Sequence, residues 1–499
     1  MVPLHPKIKR ELNRSVRKMK SHQPSLVASL IPIAALISGL VAVIVTSGAD
    51  AVQNMSQPIL LAGALIALLI AIVFYRRPMK AFRIGLMKSA SQILPTVPIL
   101  LMIGTVSATW MLSGVVPTLI DYGLVALNPK MFLFTTCAVC ALISVLSGSS
   151  WTTIATIGVA FMGIGTVWGY SPGWIAGAII SGAYFGDKIS PLSDTTVLAS
   201  STCGVKLFPH IRYMMITTVP AIVIALAVFA LVGILTPPTS QEQSSDMMRY
   251  LHATFNITPW TLLIPCATIL LLVMKLGTTT TLALSTLLGS IGIFLFQPSL
   301  LSTIEGTDNP SLLIHAKTII NILASETSIP TGHELLDSLV STGGMKGMLS
   351  TILLILCAMI FGGVMIGTGM VSTITHSVTK RLKRSQSIVS ATVGTGLMLN
   401  ACTGDQYLSI ILNGNLYRNL YHRSRLEPRL LSRSIEDSTS VTSVLIPWNS
   451  CGLTQSSVLG VATLHYLPYC IFNIMSPLIT IAIAWAGFRI RKPTYKAIA

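Results

Sequence analysis

GAYFGDKISPLSDTT, residues Gly182 to Thr196, is the stretch whose reading decides the fold. It lies between two long apolar runs and holds Asp187, Lys188 and Asp194 together with Gly186 and Pro191. A charge inside an apolar span costs a few kcal/mol on insertion scales, so it marks a functional site by default. Glycine and proline interrupt helices. Together these residues predict a broken segment inside a membrane, built to hold an ion or a charged substrate.

The composition around this stretch agrees. The chain has 499 residues, of which 52% are hydrophobic and 10% charged, where a soluble domain carries roughly 25% charged residues. The runs Leu26 to Val45, Pro58 to Tyr75 and Tyr213 to Leu235 approach or reach the ~20 apolar residues that cross a bilayer. They are too long and continuous for the alternating strands of an outer-membrane barrel. The expected class is an all-α polytopic membrane protein.

The net charge of +17 does not point to nucleic acid, because the basic residues cluster beside spans. Seven of them lie in Met1 to Lys20; Arg76, Arg77, Lys80 and Arg83 follow the second run; Lys380, Arg381, Lys383 and Arg384 precede a later one; and Arg489, Arg491, Lys492 and Lys496 close the chain. The positive-inside rule places these in the cytoplasm. Ser47 to Ser56 carries no Lys or Arg and Pro237 to Pro259 only Arg249, so both read as external. A multi-pass cell-membrane protein with cytoplasmic termini follows. The first apolar run exceeds a signal-peptide h-region and reads as a retained span. The eight cysteines lie mostly in apolar runs, and Cys137 and Cys140 share a helix face without a matching histidine pair, so no transition-metal site is expected. No cofactor is implied.

Spans are expected near Leu26–Thr46, Pro58–Tyr75, Gln92–Met111, Met131–Ser147, Thr152–Val167, Trp174–Tyr184, Arg212–Leu235, Trp260–Met274, Thr280–Phe296, Leu349–Val371, Ser387–Leu399, Tyr407–Leu416 and Ser457–Trp485, with a mixed segment at Leu430–Pro447. The last span is long enough for one helix kinked at Pro468 and Pro477. The organisation reads as a basic N-terminus (1–25), a first half (26–236), a connecting region with two spans and a polar loop (237–345), a second half (346–485) and a basic tail (486–499). Several segments are too short for full crossings, which suggests re-entrant hairpins.

The interruptions come in two sets. Ser147 to Thr153 (SGSSWTT) and then Gly182 to Thr196 occupy the first half; Asn400 to Gln406 (NACTGDQ) and then Glu436 to Gly452 (EDSTSVTSVLIPWNSCG) occupy the second, some 250 residues on. Corresponding broken segments in two halves point to a transport site between structural repeats. Of the sixteen acidic residues, Asp187, Asp194, Asp405, Glu436 and Asp437 fall inside these segments. A desolvated carboxylate favours its neutral form, and a hard monovalent cation restores the missing charge, so cation and proton compete for one place. Ser149, Ser150, Thr153, Ser190, Thr195, Asn400, Thr403, Thr439 and Asn449 add neutral oxygens of the kind hard cations take.

Simpler roles compete with these. Asp187 and Lys188 read as an edge pair that snorkels, and Glu436 and Asp437 as partners of Arg433 one turn earlier. Asp121 reads as a segment-end residue, and His315 and His465 as structural. Gly182/Gly186 and Gly363/Gly367 read as close helix-packing points. An intramembrane aspartyl protease would need one close carboxylate dyad, and a channel a continuous polar path; the paired sets of acids and hydroxyls favour neither.

At Ser181 to Thr196, Ser147 to Gly165, Thr403 to Leu412 and Glu436 to Gly452 the sequence resembles the NhaC family of sodium/proton antiporters. The resemblance implies two repeats with interrupted helices around a central site and exchange of external protons for internal sodium. It also admits carriers that couple sodium or protons to organic acids or amino acids, a malate/lactate exchanger among them. The cation and proton ligands it implies are Asp187, Ser190, Asp194, Thr195, Asp405, Glu436 and Asp437, with Na⁺ and H⁺ as cargo and the bilayer as surroundings. Thr152 stands where the family commonly has glycine, and Thr439-Ser440 where Gly-Thr is usual; both add bulk at a break. Whether the protein is a homodimer is left open.

Overall fold

The structure, a computed structural model, describes residues 24–48, 51–236, 241–274, 276–306, 312–329, 340–379 and 382–488, with positions 331, 337 and 490. Most of the basic N-terminus, Lys380, Arg381, Arg489 and the tail beyond residue 490 lie outside the described residues.

The described chain is helical, and its elements run α1 (Leu26–Ser47), α2 (Ala51–Val73), α3 (Met79–Ile93), α4 (Thr96–Leu112), α5 (Val115–Ala126), α6 (Phe132–Ser147), α7 (Ser150–Val167), α8 (Pro172–Ile189), α9 (Asp194–Cys203) and α10 (Leu207–Leu235). The connecting region holds α11 (Gln241–Thr254), α12 (Leu263–Val273), α13 (Thr278–Phe296), α14 (Pro298–Glu305) and α15 (Leu312–Ala324). The second half holds α16 (Leu349–Gly367), α17 (Met370–Thr379), α18 (Ser385–Thr403), α19 (Gln406–Arg423), α20 (Pro428–Ile435), α21 (Ser450–Leu459), α22 (Thr463–Tyr466) and α23 (Ile471–Trp485). Among the described residues, eight helices are long and apolar enough to cross a membrane, or ten if two bent pairs count as one span each.

The structure corrects the expected boundaries in four places. The helix expected at Trp174–Tyr184 runs on through Gly186 to Ile189, so the break falls at residues 190–193 and not at Gly186. Small residues here serve packing: a Cβ on Gly182 would lie 2.1 Å from the Cys137 carbonyl oxygen, and one on Gly186 2.4 Å from that of Ala141, so α8 approaches α6 backbone to backbone. The stretch Ser457–Trp485 is not one kinked helix: Gly460 ends α21 in the left-handed conformation, and α22 meets α23 at 56°. Lys80 and Arg83 sit in α3, a helix and not a loop; its Gly85 seats on Gly363 and Gly367 of α16, the second expected packing pair. The polar interval after Gln297 contains two helices, α14 and α15.

The halves share one cadence. α7, α8 and α9 begin at residues 150, 172 and 194, and helices begin at 406, 428 and 450 in the second half, each 256 positions later. The left-handed glycines Gly148 and Gly204 have counterparts at the same interval in Gly404 and Gly460. After Gly148 and Gly404 the chain extends through one residue, Ser149 (φ −145°, ψ 114°) or Asp405 (φ −140°, ψ 135°), whose side chain caps the next helix. Glycine is needed at both turns because a left-handed residue ends a helix without a Cβ penalty. A π-turn widens the chain at Ile154–Gly158 in α7 and at Glu436–Ser440 after α20, a distortion frequent at functional sites.

Candidate functional site, a cleft between broken helices

The breaks bring polar groups into the interior. Ser149 accepts from the Thr152 amide at 3.2 Å to open α7, and Ser193 accepts from the Thr196 amide at 3.4 Å to open α9. Asp405 accepts from the Leu408 amide at 2.7 Å to open α19, and Asn449 accepts from the Cys451 amide at 3.1 Å to open α21. Each cap satisfies an amide that the helix leaves unpaired.

A cleft of about 250 Å³ lies where three of these starts meet. Ser147, Gly148 and Ser149 line it from the first break, Asp194 and Thr195 from the start of α9, Gln406 and Tyr407 from the start of α19, and Asp187 from the last turn of α8. Asp187 is half-buried; the Ser150 hydroxyl and amide donate to its Oδ2 at 2.6 and 3.2 Å. Asp194 is exposed to the cleft. Among the described residues, no Lys, Arg or His lies within ion-pair distance of Asp187, Asp194, Asp405 or Glu436. Helix starts contribute partial positive charge and helix ends carbonyl oxygens. Asp187 and Asp194 thus share the cleft with hydroxyls and amides and, among the described residues, with no cationic side chain at ion-pair distance.

The structure separates Asp187 from Lys188, which the sequence paired. Neighbours on a helix point about 100° apart at 3.6 residues per turn, and Lys188 leaves the cleft side for the interior. There it forms an ion pair with Asp437 and donates to the Ser476 hydroxyl at 2.9 Å. Asp437 also accepts from Thr217 at 2.8 and 3.0 Å and from Thr480, and the Arg433 guanidinium stands 3.7 Å away. Both members of the Lys188–Asp437 pair are buried. Asp437 is therefore the centre of a closed network joining α8, α10, α20 and α23, away from the cleft lining.

The other expected residues divide in the same way. Ser190 is buried and donates to the Val145 carbonyl at 2.8 Å, closing the break against α6. Thr195 shares a 3.0 Å hydrogen bond with Ser193. Thr153 donates to the Ser149 carbonyl at 2.9 Å. Asp405 is buried, with the Ser450 hydroxyl 3.5 Å from its second oxygen, and does not line the cleft. Thr403 shares 2.8 Å with Ser409. The Asn400 amide nitrogen donates to the Thr439 carbonyl at 2.7 Å, and Asn449 donates to the Asn400 carbonyl at 3.2 Å. The Thr439 hydroxyl accepts from Asn413 at 3.1 Å. Glu436 is buried with neither carboxylate oxygen hydrogen-bonded. Gln406 links the two regions: it lines the cleft and donates to the Ser440 carbonyl of the π-turn at 2.8 Å.

Sequence reading missed Thr96, Thr278, Gln406 and Tyr407 of the cleft wall, and Thr217, Ser476 and Thr480 around Asp437. Only the position of Gln406 and Tyr407 directly after Asp405 signalled them; the others are single hydroxyls in apolar helices. Asp121 is not a segment end but a buried residue of α5, paired with His252 at 2.8 Å; His315 pairs with Glu305 at 2.8 Å.

Many spanning helices whose breaks meet at a carboxylate-bearing cleft define the class of secondary transporters. The model of the Na⁺/H⁺ antiporter family matches residues 9–204 and 182–488, and the chain belongs to that family. It is 36% identical over 394 residues to the Na⁺/H⁺ antiporter NhaC of Alkalihalophilus pseudofirmus, covering 79% of this chain and 82% of that protein. The Na⁺/H⁺ antiporter NhaC of Bacillus subtilis is 32% identical over 417 residues, 83% of this chain and 89% of its own. The malate-2H⁺/Na⁺-lactate antiporter of Bacillus subtilis is 36% identical over 380 residues, 75% and 78% of the two chains.

Proposed function

We propose that the protein exchanges cytoplasmic Na⁺ for external H⁺ by competition at the carboxylates of the cleft, opened alternately to the two sides of a cell membrane. The observation that carries this reading is the pair Asp187 and Asp194, facing one cleft at broken helix ends with, among the described residues, no basic partner at ion-pair distance. A bound sodium ion supplies the positive charge the site lacks, and protonation removes the need for it. Bound sodium or protons each reduce the negative charge of the pair, and the empty, doubly ionised state is the costly one. Asp437 acts as fixed counter-ion to Lys188, and the common 256-residue cadence reads as two structural repeats that hold the cleft between them. Both termini are cytoplasmic on the distribution of basic residues.

Coupled organic-acid transport, the activity named for the malate/lactate relative, is the second reading. Arg433 is the one arginine near the broken segments. It is occupied with Tyr213 and Asp437 and does not line the cleft, which favours the inorganic exchange.

Everted vesicles with an imposed proton gradient test the proposal. Sodium is expected to dissipate the gradient, and malate, lactate or amino acids to have no effect in its absence. Asp187→Asn and Asp194→Asn each abolish exchange while the protein still inserts. Asp405→Asn keeps a cap acceptor for α19, so its effect isolates the charge of that residue. Full activity in both cleft variants would remove the cleft from the mechanism.

A further inference from the structure

A second cavity, of about 970 Å³, opens at the start of α10, between that helix, the end of α8 and the start of α20. Its wall has two kinds of surface. Ile189, Phe208 and Ile216 represent an apolar side, and Arg212, Arg429 and Tyr213 a polar one. Phe208 is 72% exposed, so the apolar side opens outward. The Arg429 guanidinium lies 5.0 Å from the Tyr213 ring centre, and that of the buried Arg433 lies 4.8 Å from the same ring. Arg429 is paired with Glu427, and the Arg433 guanidinium stands 3.7 Å from Asp437 without a hydrogen bond to it. Lys206 precedes α10, and Arg423 and Arg425 lead into the turn before α20, so positive charge is in excess.

The depth of the cavity follows from helix length. α10 has 29 residues, about 43 Å at 1.5 Å per residue, against a hydrocarbon core of about 30 Å. With Lys206 and Arg212 at its start as interfacial anchors, the excess length places its first turns at headgroup level.

We propose that this cavity binds an anionic phospholipid, its phosphate held between Arg212 and Arg429 and an acyl chain laid along the apolar wall. A free phosphate would satisfy the arginines and leave the apolar wall bare. A lipid covers both surfaces in the order in which they occur, head toward the arginines and tail along α10. Basic pockets between spanning helices are a recurrent way of holding such headgroups. The site is separate from the cleft and does not rest on the exchange reading.

The test uses the full-length protein purified in detergent, with phosphatidylglycerol, phosphatidylcholine of the same chains, or inorganic phosphate added, read by thermal melting and by lipid retained in native mass spectra. Phosphatidylglycerol is expected to raise the melting temperature and remain bound, and phosphatidylcholine to do neither. Arg212→Gln weakens retention about fivefold, the weight of one basic residue at an anionic surface. Arg212 is exposed, so this variant is informative even if Arg429→Gln, which also strands Glu427, fails to fold. Ile216→Trp fills the apolar wall and expels the lipid without touching a charge. Equal shifts from the two lipids, displacement of phosphatidylglycerol by inorganic phosphate alone, or unchanged retention in both Arg212→Gln and Ile216→Trp would each overturn the proposal.

Discussion

At the scale of single residues, adjacent charges divide between two tasks. Asp187 stays at the cleft on the Ser150 hydroxyl and amide, and Lys188 turns inward to Asp437. A buried ion pair is costly to break because the surviving charge is left uncompensated, at about 3–5 kcal/mol, whereas replacing both partners with apolar residues is often neutral. Lys188→Met alone is therefore expected to depress folded yield and melting temperature sharply. Lys188→Met with Asp437→Leu recovers only part of the loss, because it removes the carboxylate beside the buried Arg433. A single variant as stable as the parent would show that the pair does not hold the halves together.

At the scale of elements, what matters is where each helix stops. The glycines at the two corresponding breaks differ in their surroundings. A Cβ on Gly148 would stand 2.6 Å from the Leu192 Cβ, pressing the first break into the second, whereas one on Gly404 would meet the Ala358 Cβ at 3.1 Å. Both substitutions also incur a left-handed penalty of roughly 1–2 kcal/mol. Gly148→Ala is expected to abolish exchange in inserted protein, and Gly404→Ala to reduce it with a smaller loss of melting temperature. The reverse order in vesicle assays would show that the contact between the two breaks of the first half is not what shapes the cleft.

At the scale of the whole molecule, the cleft draws its wall from α4, α8, α9, α13 and α19 and from the Ser147–Ser149 turn, so opening it to the other side requires these elements to move past one another. Thr195 lines the cleft at the start of α9. In a background with the exposed Cys266 replaced by serine, Thr195→Cys is expected to react with a membrane-impermeant thiol reagent from one side in sodium-free medium, and more slowly when sodium is added. Equal labelling from both sides at all sodium concentrations would contradict a gated cleft.

Much of this was legible in the residues. Long apolar runs dictate spanning helices because unpaired backbone groups are not tolerated in hydrocarbon. The Gly-Ser and Gly-Asp breaks are local events, set by glycine's access to the left-handed region and by a capping side chain one residue on, so Ser147–Thr153 and Asn400–Gln406 were read correctly as interruptions. Gly186 admitted two readings, a helix break and a close packing point, because glycine alone does not distinguish them; the carbonyl of Ala141 facing it decides for packing. The partners of charges belong to the tertiary structure alone. Lys188 and Asp437 stand 249 residues apart, and Thr217 and Thr480 reach the same carboxylate from two further helices. By itself, then, the sequence determined a multi-spanning helical protein broken at four places and carrying acids at three of those breaks. Packing decided which acid faces the cleft and which is neutralised inside, because a side chain's partner depends on the direction it leaves its helix and on what other helices bring there.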